Sequence, residues 1–300
     1  MKKKTIMTLL SMAVVVVLSG CGADTKEDNS VLEEDVAVVL REEVPALAQT
    51  AEAVEAETTT METESVVEQV IHKPELEVTP IEEVWYTEDG TQVLLTATCR
   101  KVEVKNEGFD VLAQALSEWS ELIYNEVLAE AEECASWAAE HYAFLEDPTQ
   151  FIEYYTSIDF GPARGDDVVV SLSGGHEAYT GGAHGNYGFV GYTFDVETGE
   201  LLTLDRLIAD DEGFQEAAIQ EILAVLEAEP YVSMIFADYE STVRGLFAQD
   251  GYVSWYLSEE GIVITLDPYE VGPYSMGSVE INLPYEDFSQ YMALKYRPKM

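Results

Sequence analysis

Every aromatic residue of this 300-residue chain lies at or beyond Trp85: four Trp, seventeen Tyr and ten Phe, with none before. Aromatic side chains bury more area than any others, so a core that uses them starts near that point. With 47% of the chain hydrophobic, the stretch from residue 85 onward is long enough and apolar enough for one or two ordinary domains. The residues ahead of it must serve some other purpose.

They fall into two parts. Lys2, Lys3 and Lys4 form a positive opening, followed by an uncharged apolar run over residues 6–18. That run has the length of a signal-peptide core and falls short of the roughly 20 residues a spanning helix needs. It ends in Leu18-Ser19-Gly20-Cys21, which resembles the lipobox of bacterial lipoproteins. The resemblance implies cleavage after residue 20, lipidation of the Cys21 sulfur, and a protein held at the outer face of the cell membrane. Residues 21–80 then read as an acidic, disordered tether. Between residues 22 and 80 sixteen acids face three bases (Lys26, Arg41 and Lys73), in runs such as Glu62-Thr63-Glu64.

Charge limits the partners. Fifteen Lys+Arg stand against 58 Asp+Glu, a net charge of −43 that loss of residues 1–20 makes more negative by three. Such a surface repels phosphate backbones and excludes nucleic acid as a direct partner. It also repels anionic lipid, so membrane affinity has to come from the acyl anchor. Cationic proteins or cell-wall components are favoured, with salt-sensitive association. Four His and three Cys leave little for zinc clusters, and no cofactor or metal is expected.

The folded part reads as α+β: an antiparallel sheet with a long N-terminal helix and further helices packed on it. A hairpin is predicted with strands at 84–87 and 91–104, turning at Glu88-Asp89-Gly90. A bulge is expected where the alternation slips between Cys99 and Val102. A helix follows from Asp110, its expected N-cap, to Phe144, with Leu112, Leu116, Trp119, Ile123, Val127, Ala131, Cys134, Ala138 and Tyr142 on one stripe. Strands are expected at 151–160, 167–179, 187–195, 201–204, 252–257, 261–266 and 278–283. Helices are expected at 213–227 and 239–247, with a last one starting at Pro284. Cys99 and Cys134 fall on apolar faces, and either a disulfide between them or two buried thiols fits.

Two stretches carry a more specific resemblance. Tyr179-Thr-Gly-Gly-Ala-His184-Gly leads to Phe194-Asp195-Val-Glu-Thr-Gly199. Later, Gly261-Ile-Val-Ile-Thr-Leu266 leads through Tyr269-Glu-Val-Gly-Pro-Tyr274 to Ile281-Asn-Leu-Pro-Tyr285. Together they resemble the C-terminal extracellular domain of the anti-sigma-V factor, a domain of unknown function in Gram-positive lipoproteins. Residues 81–165 resemble its companion, the N-terminal domain shared with a C-type peptidoglycan deacetylase, and 166–300 the C-terminal domain itself. The resemblance implies a sensor that binds lysozyme. The four-residue opening leaves no cytoplasmic segment for a sigma factor, so only the ligand-binding half carries over.

The candidate ligand-binding residues drawn from these motifs are Tyr179, His184, Asn186, Tyr269 and Tyr274. His184 reads either as a ligand contact or as a ring that pins its glycine-rich turn. His176 and His184, across one hairpin, make a two-His site conceivable. Asp205, Asp210, Asp211 and Glu212 read as helix capping rather than calcium ligation. The tyrosines 269, 274 and 285, beside Pro273 and Pro284, suggest either a shallow groove or a rigid crossover. Catalysis is not expected: there is no Gly-x-Ser-x-Gly elbow and no His pair four apart for a deacetylase. The function read from the chain is a lipid-anchored extracellular binding or sensing domain for lysozyme or another cationic envelope ligand. The alternatives are a peptidoglycan hydrolase working through carboxylates, or a structural envelope lipoprotein.

Overall fold

The structure is a computed structural model that describes residues 72–248 and 253–299. The signal-like segment, Cys21 and most of the acidic tether lie outside the described residues. Among the described residues no helix is long and apolar enough to cross a membrane.

Five strands form the first sheet, in spatial order β1 (Leu76–Tyr86), β2 (Val93–Val104), β3 (Tyr154–Gly165), β4 (Val169–Tyr179) and β5 (Asn186–Asp195). All neighbours are antiparallel except β2 and β3, which run parallel over Leu95–Thr98 and Tyr154–Ser157. A parallel pair needs a long crossover, and here it is α1 (Asp110–Phe144), the helix expected from periodicity. Its stripe from Leu112 to Ala138 is buried as expected, joined by Ser120 and Ala135, while Tyr142 is only half-buried. The N-cap is Phe109 rather than Asp110, and no side chain caps the helix.

The tether gives way to structure earlier than expected. β1 begins at Leu76, inside the predicted linker, because Val78 and Ile81 pair with Val102 and Cys99 and pack on the core with Leu76 and Trp85. Pairing also runs unbroken through Cys99–Val102, and the irregularity falls at Trp85/Tyr86 instead. Beyond Thr98 the second edge of β2 has no strand partner among the described residues, and Val102 N–H donates to Ser120 Oγ of α1 at 3.1 Å. The helix thus finishes the edge that β3 leaves open.

That bond also fixes the register of helix on strand and decides the cysteine question. Cys99 lies about 10 Å from Val102 along the strand, whereas Cys134 lies about 21 Å beyond Ser120 along the helix. Of the two alternatives the structure takes the second: both are buried free thiols, too far out of step for bridging. Burial pushes the thiols up, Cys134 to about 11, so neither is a reactive thiolate.

The second sheet is β6 (Ser254–Leu257), β7 (Gly261–Leu266) and β8 (Val279–Pro284), antiparallel throughout. It packs with α2 (Leu204–Leu207), α3 (Asp211–Leu226), α4 (Tyr239–Phe247) and α5 (Tyr285–Phe288) around Phe214, Ile222, Leu257, Ile264 and Met292. The strand expected at 201–204 is a single bridge between Phe194 and Leu201. The last helix is one turn followed by 3-10 turns. Capping of α3 falls to Asp210, whose carboxylate accepts Gly213 N–H at 3.1 Å. The fold is α+β, as read from the sequence, and the described residues form one compact unit. The five-stranded sheet runs through residue 165, where the sequence suggested a domain boundary.

Alternation along β4 and β5 gives the first sheet two unlike faces. Val170, Leu172, Tyr192 and Phe194 turn toward α1, with Trp119 packed against Phe160, Tyr192 and Phe194 at 4.6–5.5 Å. Ser171 and Thr193 turn the other way, their hydroxyls 2.8 Å apart, and Ser171 Oγ accepts Leu257 N–H of β6 at 2.9 Å. Gly191 permits this approach, since a Cβ there would strike the Trp255 carbonyl.

Candidate functional site

The hairpin between β4 and β5 turns through Gly181 and Gly182, both at positive φ (93° and 101°). The turn closes tightly: a Cβ at Gly181 would meet Tyr154 Oη at 2.8 Å. At this end of the sheet, register places Tyr155 opposite Tyr179 and Glu177 opposite Tyr187, and Tyr179 also meets Tyr154 of the α1-side core edge-on at 6.0 Å. Tyr155 and Tyr179 stack with centroids 6.0 Å apart, and the Tyr179 hydroxyl donates to Gly182 O at 3.2 Å.

The segment joining β7 to β8 brings a second set. Tyr274 lies in a 3-10 turn behind Pro273. His184 stacks on its ring at 4.0 Å, Tyr187 meets it edge-on at 5.4 Å, and Tyr269 stands 5.8 Å away. His184 Nδ1 also lies 2.9 Å from Gly185 O. His184 thus pins its own turn and also stacks within the ring cluster. Tyr269 is 56% exposed and is the non-glycine residue with positive φ among those described (73°). A bulky side chain in that region stores strain, a feature concentrated at functional sites.

Behind the rings lies a group of acids. Asp267 Oδ1 accepts Phe189 N–H from the free edge of β5 at 2.8 Å, and Glu270 Oε2 accepts Asp267 N–H at 2.8 Å. Gly188 leaves room for this, since a Cβ there would lie 2.8 Å from Asp267 Cγ and 2.7 Å from His176 Cε1. Gly188 and His176 are cross-strand partners on the α1 side of the sheet, whereas Tyr187 and Glu177 face the other way. The β7–β8 loop therefore straddles β5, with acids on one side and Tyr274 on the other. Burial pushes Asp267 up against the pull of Phe189 N–H and His176. Burial also lifts Glu270 to about 7, opposed by its bond from Asp267 N–H and aided by the Asp267 charge.

Four of the five expected residues, Tyr179, His184, Tyr269 and Tyr274, meet at this end of the sheet. Asn186 opens β5 opposite Ala178, exposed beside them. Tyr285 does not join: it is buried, with its hydroxyl 2.7 Å from Arg164 Nη1 and donating to Ser258 O. His176 and His184 point to different partners and form no two-His site. Among the described residues no three His, Cys, Asp or Glu side chains converge as a metal requires. Tyr155, Glu177, Tyr187, Asp267 and Glu270 were missed in the sequence. The strand register, which pairs 155 with 179 and 177 with 187, would have found the first three.

Against known proteins, no curated protein matches this chain. It is similar in structure to a DUF3298 family member from Bacteroides fragilis NCTC 9343, at 18% identity and TM-score 0.55, over 74% of this chain and 94% of that one. A DUF3298 family protein from Pseudomonas aeruginosa PAO1 gives 17% identity and TM-score 0.53, over 76% and 98%. At these identities the likeness is one of fold. Residues 210–286, from the cap of α3 through the loop that carries Tyr269, Glu270 and Tyr274, match the family described as a protein of unknown function, DUF3298.

Proposed function

We propose that the protein is a lipid-anchored binding or sensing module at the outer face of the membrane. In this reading Cys21 carries the anchor, the acidic segment gives reach, and the folded body captures a cationic protein of the lysozyme type or another cationic envelope component without chemistry of its own. The observation that carries it is the convergence of Tyr155, Tyr179, His184, Tyr187, Tyr269 and Tyr274 beside Glu177 on a strongly acidic chain. Clustered tyrosines are rigid amphipathic anchors, and their ring faces attract Lys and Arg heads. The likeness to the anti-sigma-V factor supports lysozyme as the first ligand to try.

Calorimetric titration of the full chain with lysozyme at two ionic strengths tests this. Submicromolar affinity that survives 0.3 M salt, on the order of specific recognition rather than bare charge, and falls at least about tenfold in Tyr274→Ala, is the expected result. Affinity that vanishes with salt would remove lysozyme as the specific ligand. Glu270, held near 7 beside Asp267, favours a second reading, a hydrolase acting on peptidoglycan through carboxylates. Turnover of labelled cell wall that Glu270→Gln abolishes would replace the binding reading.

A further inference from the structure

The stripe that α1 buries has a counterpart on the opposite side of the helix. From Glu118 to Phe144 eight residues follow one another at steps of three or four, and so share one outward ridge about 40 Å long. Acid and apolar side chains alternate strictly along it: Glu118, Glu126, Glu133 and Glu140 are interleaved with Leu122, Ala129, Trp137 and Phe144. All eight are exposed, and Phe144 is 86% exposed. Nearer the start of the helix the ridge is covered, with Ala115 set against the Gly199 turn.

A solvated helix face mixes both signs of charge, each acid meeting a Lys or Arg three or four positions on. Here the chain has no Lys or Arg between Lys105 and Arg164. No ion pair among the described residues includes any of the four glutamates. Glu118 accepts the side-chain amide of Gln114 at 2.9 Å, a neutral partner. The apolar members recur every two turns, the spacing at which one helix receives another. Trp137, whose ring face attracts a Lys or Arg head, stands between Glu133 and Glu140.

We propose that the outer ridge of α1 is a docking surface for a cationic amphipathic helix. The partner's apolar residues seat beside Leu122, Trp137 and Phe144, and its Lys or Arg side chains pair with the four glutamates. Charge chooses this occupant. A second copy would set glutamate against glutamate, and anionic lipid is repelled. Residues 22–80 of this chain, with sixteen acids to three bases, are no complement either. The ridge belongs to a different element from the tyrosine cluster and does not depend on lysozyme as a ligand.

Fluorescence anisotropy with the full chain tests this. The probe is a labelled synthetic helix of about 25 residues, with Leu and Arg alternating at three- and four-residue steps on one face. Its control is a scrambled peptide of the same composition and charge. The patterned peptide should bind at least about tenfold more tightly, since it alone presents both kinds of side chain to the ridge. The double variants Trp137→Gln/Phe144→Gln and Glu133→Gln/Glu140→Gln should each weaken it by at least about tenfold. All four side chains are exposed, so these variants keep the fold, which far-UV circular dichroism verifies. Tyr274→Ala should leave peptide affinity unchanged, whatever it does to lysozyme. Equal binding of the two peptides, wild-type affinity in both double variants, or a loss in Tyr274→Ala would overturn the proposal. So would self-association, or pelleting with zwitterionic lipid vesicles, that Trp137→Gln/Phe144→Gln abolishes: the occupant would then be a second copy or lipid.

Discussion

The two faces of the five-stranded sheet are built on opposite principles. Toward α1 the residues are Val170, Leu172, Tyr192 and Phe194, closed over by Trp119 and an unbroken apolar helix stripe. Toward β6 and the chain's last turns they are Ser171, Thr193 and Asp195, each buried and each hydrogen-bonded to a specific partner. Apolar packing stabilises by area and tolerates repacking. Buried polar groups stabilise only when every partner is in place. The α1 face therefore supplies bulk stability, while the opposite face sets where the second sheet and the tyrosine loop sit.

Trp119→Ala should have the largest effect, about 3–5 kcal/mol, seen as a fall in urea midpoint. A loss under about 1 kcal/mol would mean that the α1 face is not the main core. Asp195→Ala should cost about 2–3 kcal/mol, because Glu197 N–H, Thr198 N–H and the Tyr296 hydroxyl all lose their acceptor. The two carboxylates described here also have opposite pH signs. Burial raises Asp195, but Lys295, Thr198 N–H and Tyr296 together hold it below the usual range. Its contribution is present above its unfolded value of 3.8 and disappears as the pH falls through the lower folded value. Asp195→Asn should therefore flatten the acid limb of the stability profile. Glu270→Gln should leave that limb alone and raise stability at pH 8 by up to about 2 kcal/mol, measured by thermal denaturation at pH 5 and pH 8. Last, a reducing agent should leave the melting temperature unchanged, since Cys99 and Cys134 are thiols. A downward shift would require a bond between them.

The α1 face was readable from the chain almost to the residue, because a stripe repeating every three or four positions over 35 residues has only one helical solution. Gly261–Leu266 and Tyr239–Phe247 were equally legible. The start of β1 was not: Glu77, Pro80, Glu82 and Glu83 make it read as a continuation of the tether. An edge strand tolerates both proline and charge. The site was half legible. Tyr269 and Tyr274 announce themselves in one motif, but Asp267 and Glu270 are two acids among 58. What distinguishes them is burial against β5, which no local pattern records.

The buried carboxylate of Asp195 also bears on the order in which the molecule assembles. It is completed by Lys295 and Tyr296, the latter 101 positions downstream, and Arg164 likewise waits 121 positions for Tyr285. The hairpin, α1 and β3 can nucleate from nearer neighbours, but Asp195 keeps an unpaired charge until Lys295 arrives, and Arg164, already ion-paired with Asp166, lacks its Tyr285 hydroxyl until then. Contacts of such separation close slowly. A chain cut short ahead of residue 295 would thus keep its first core and lack its final closure, and would spend its lifetime as a partly folded, protease-sensitive species.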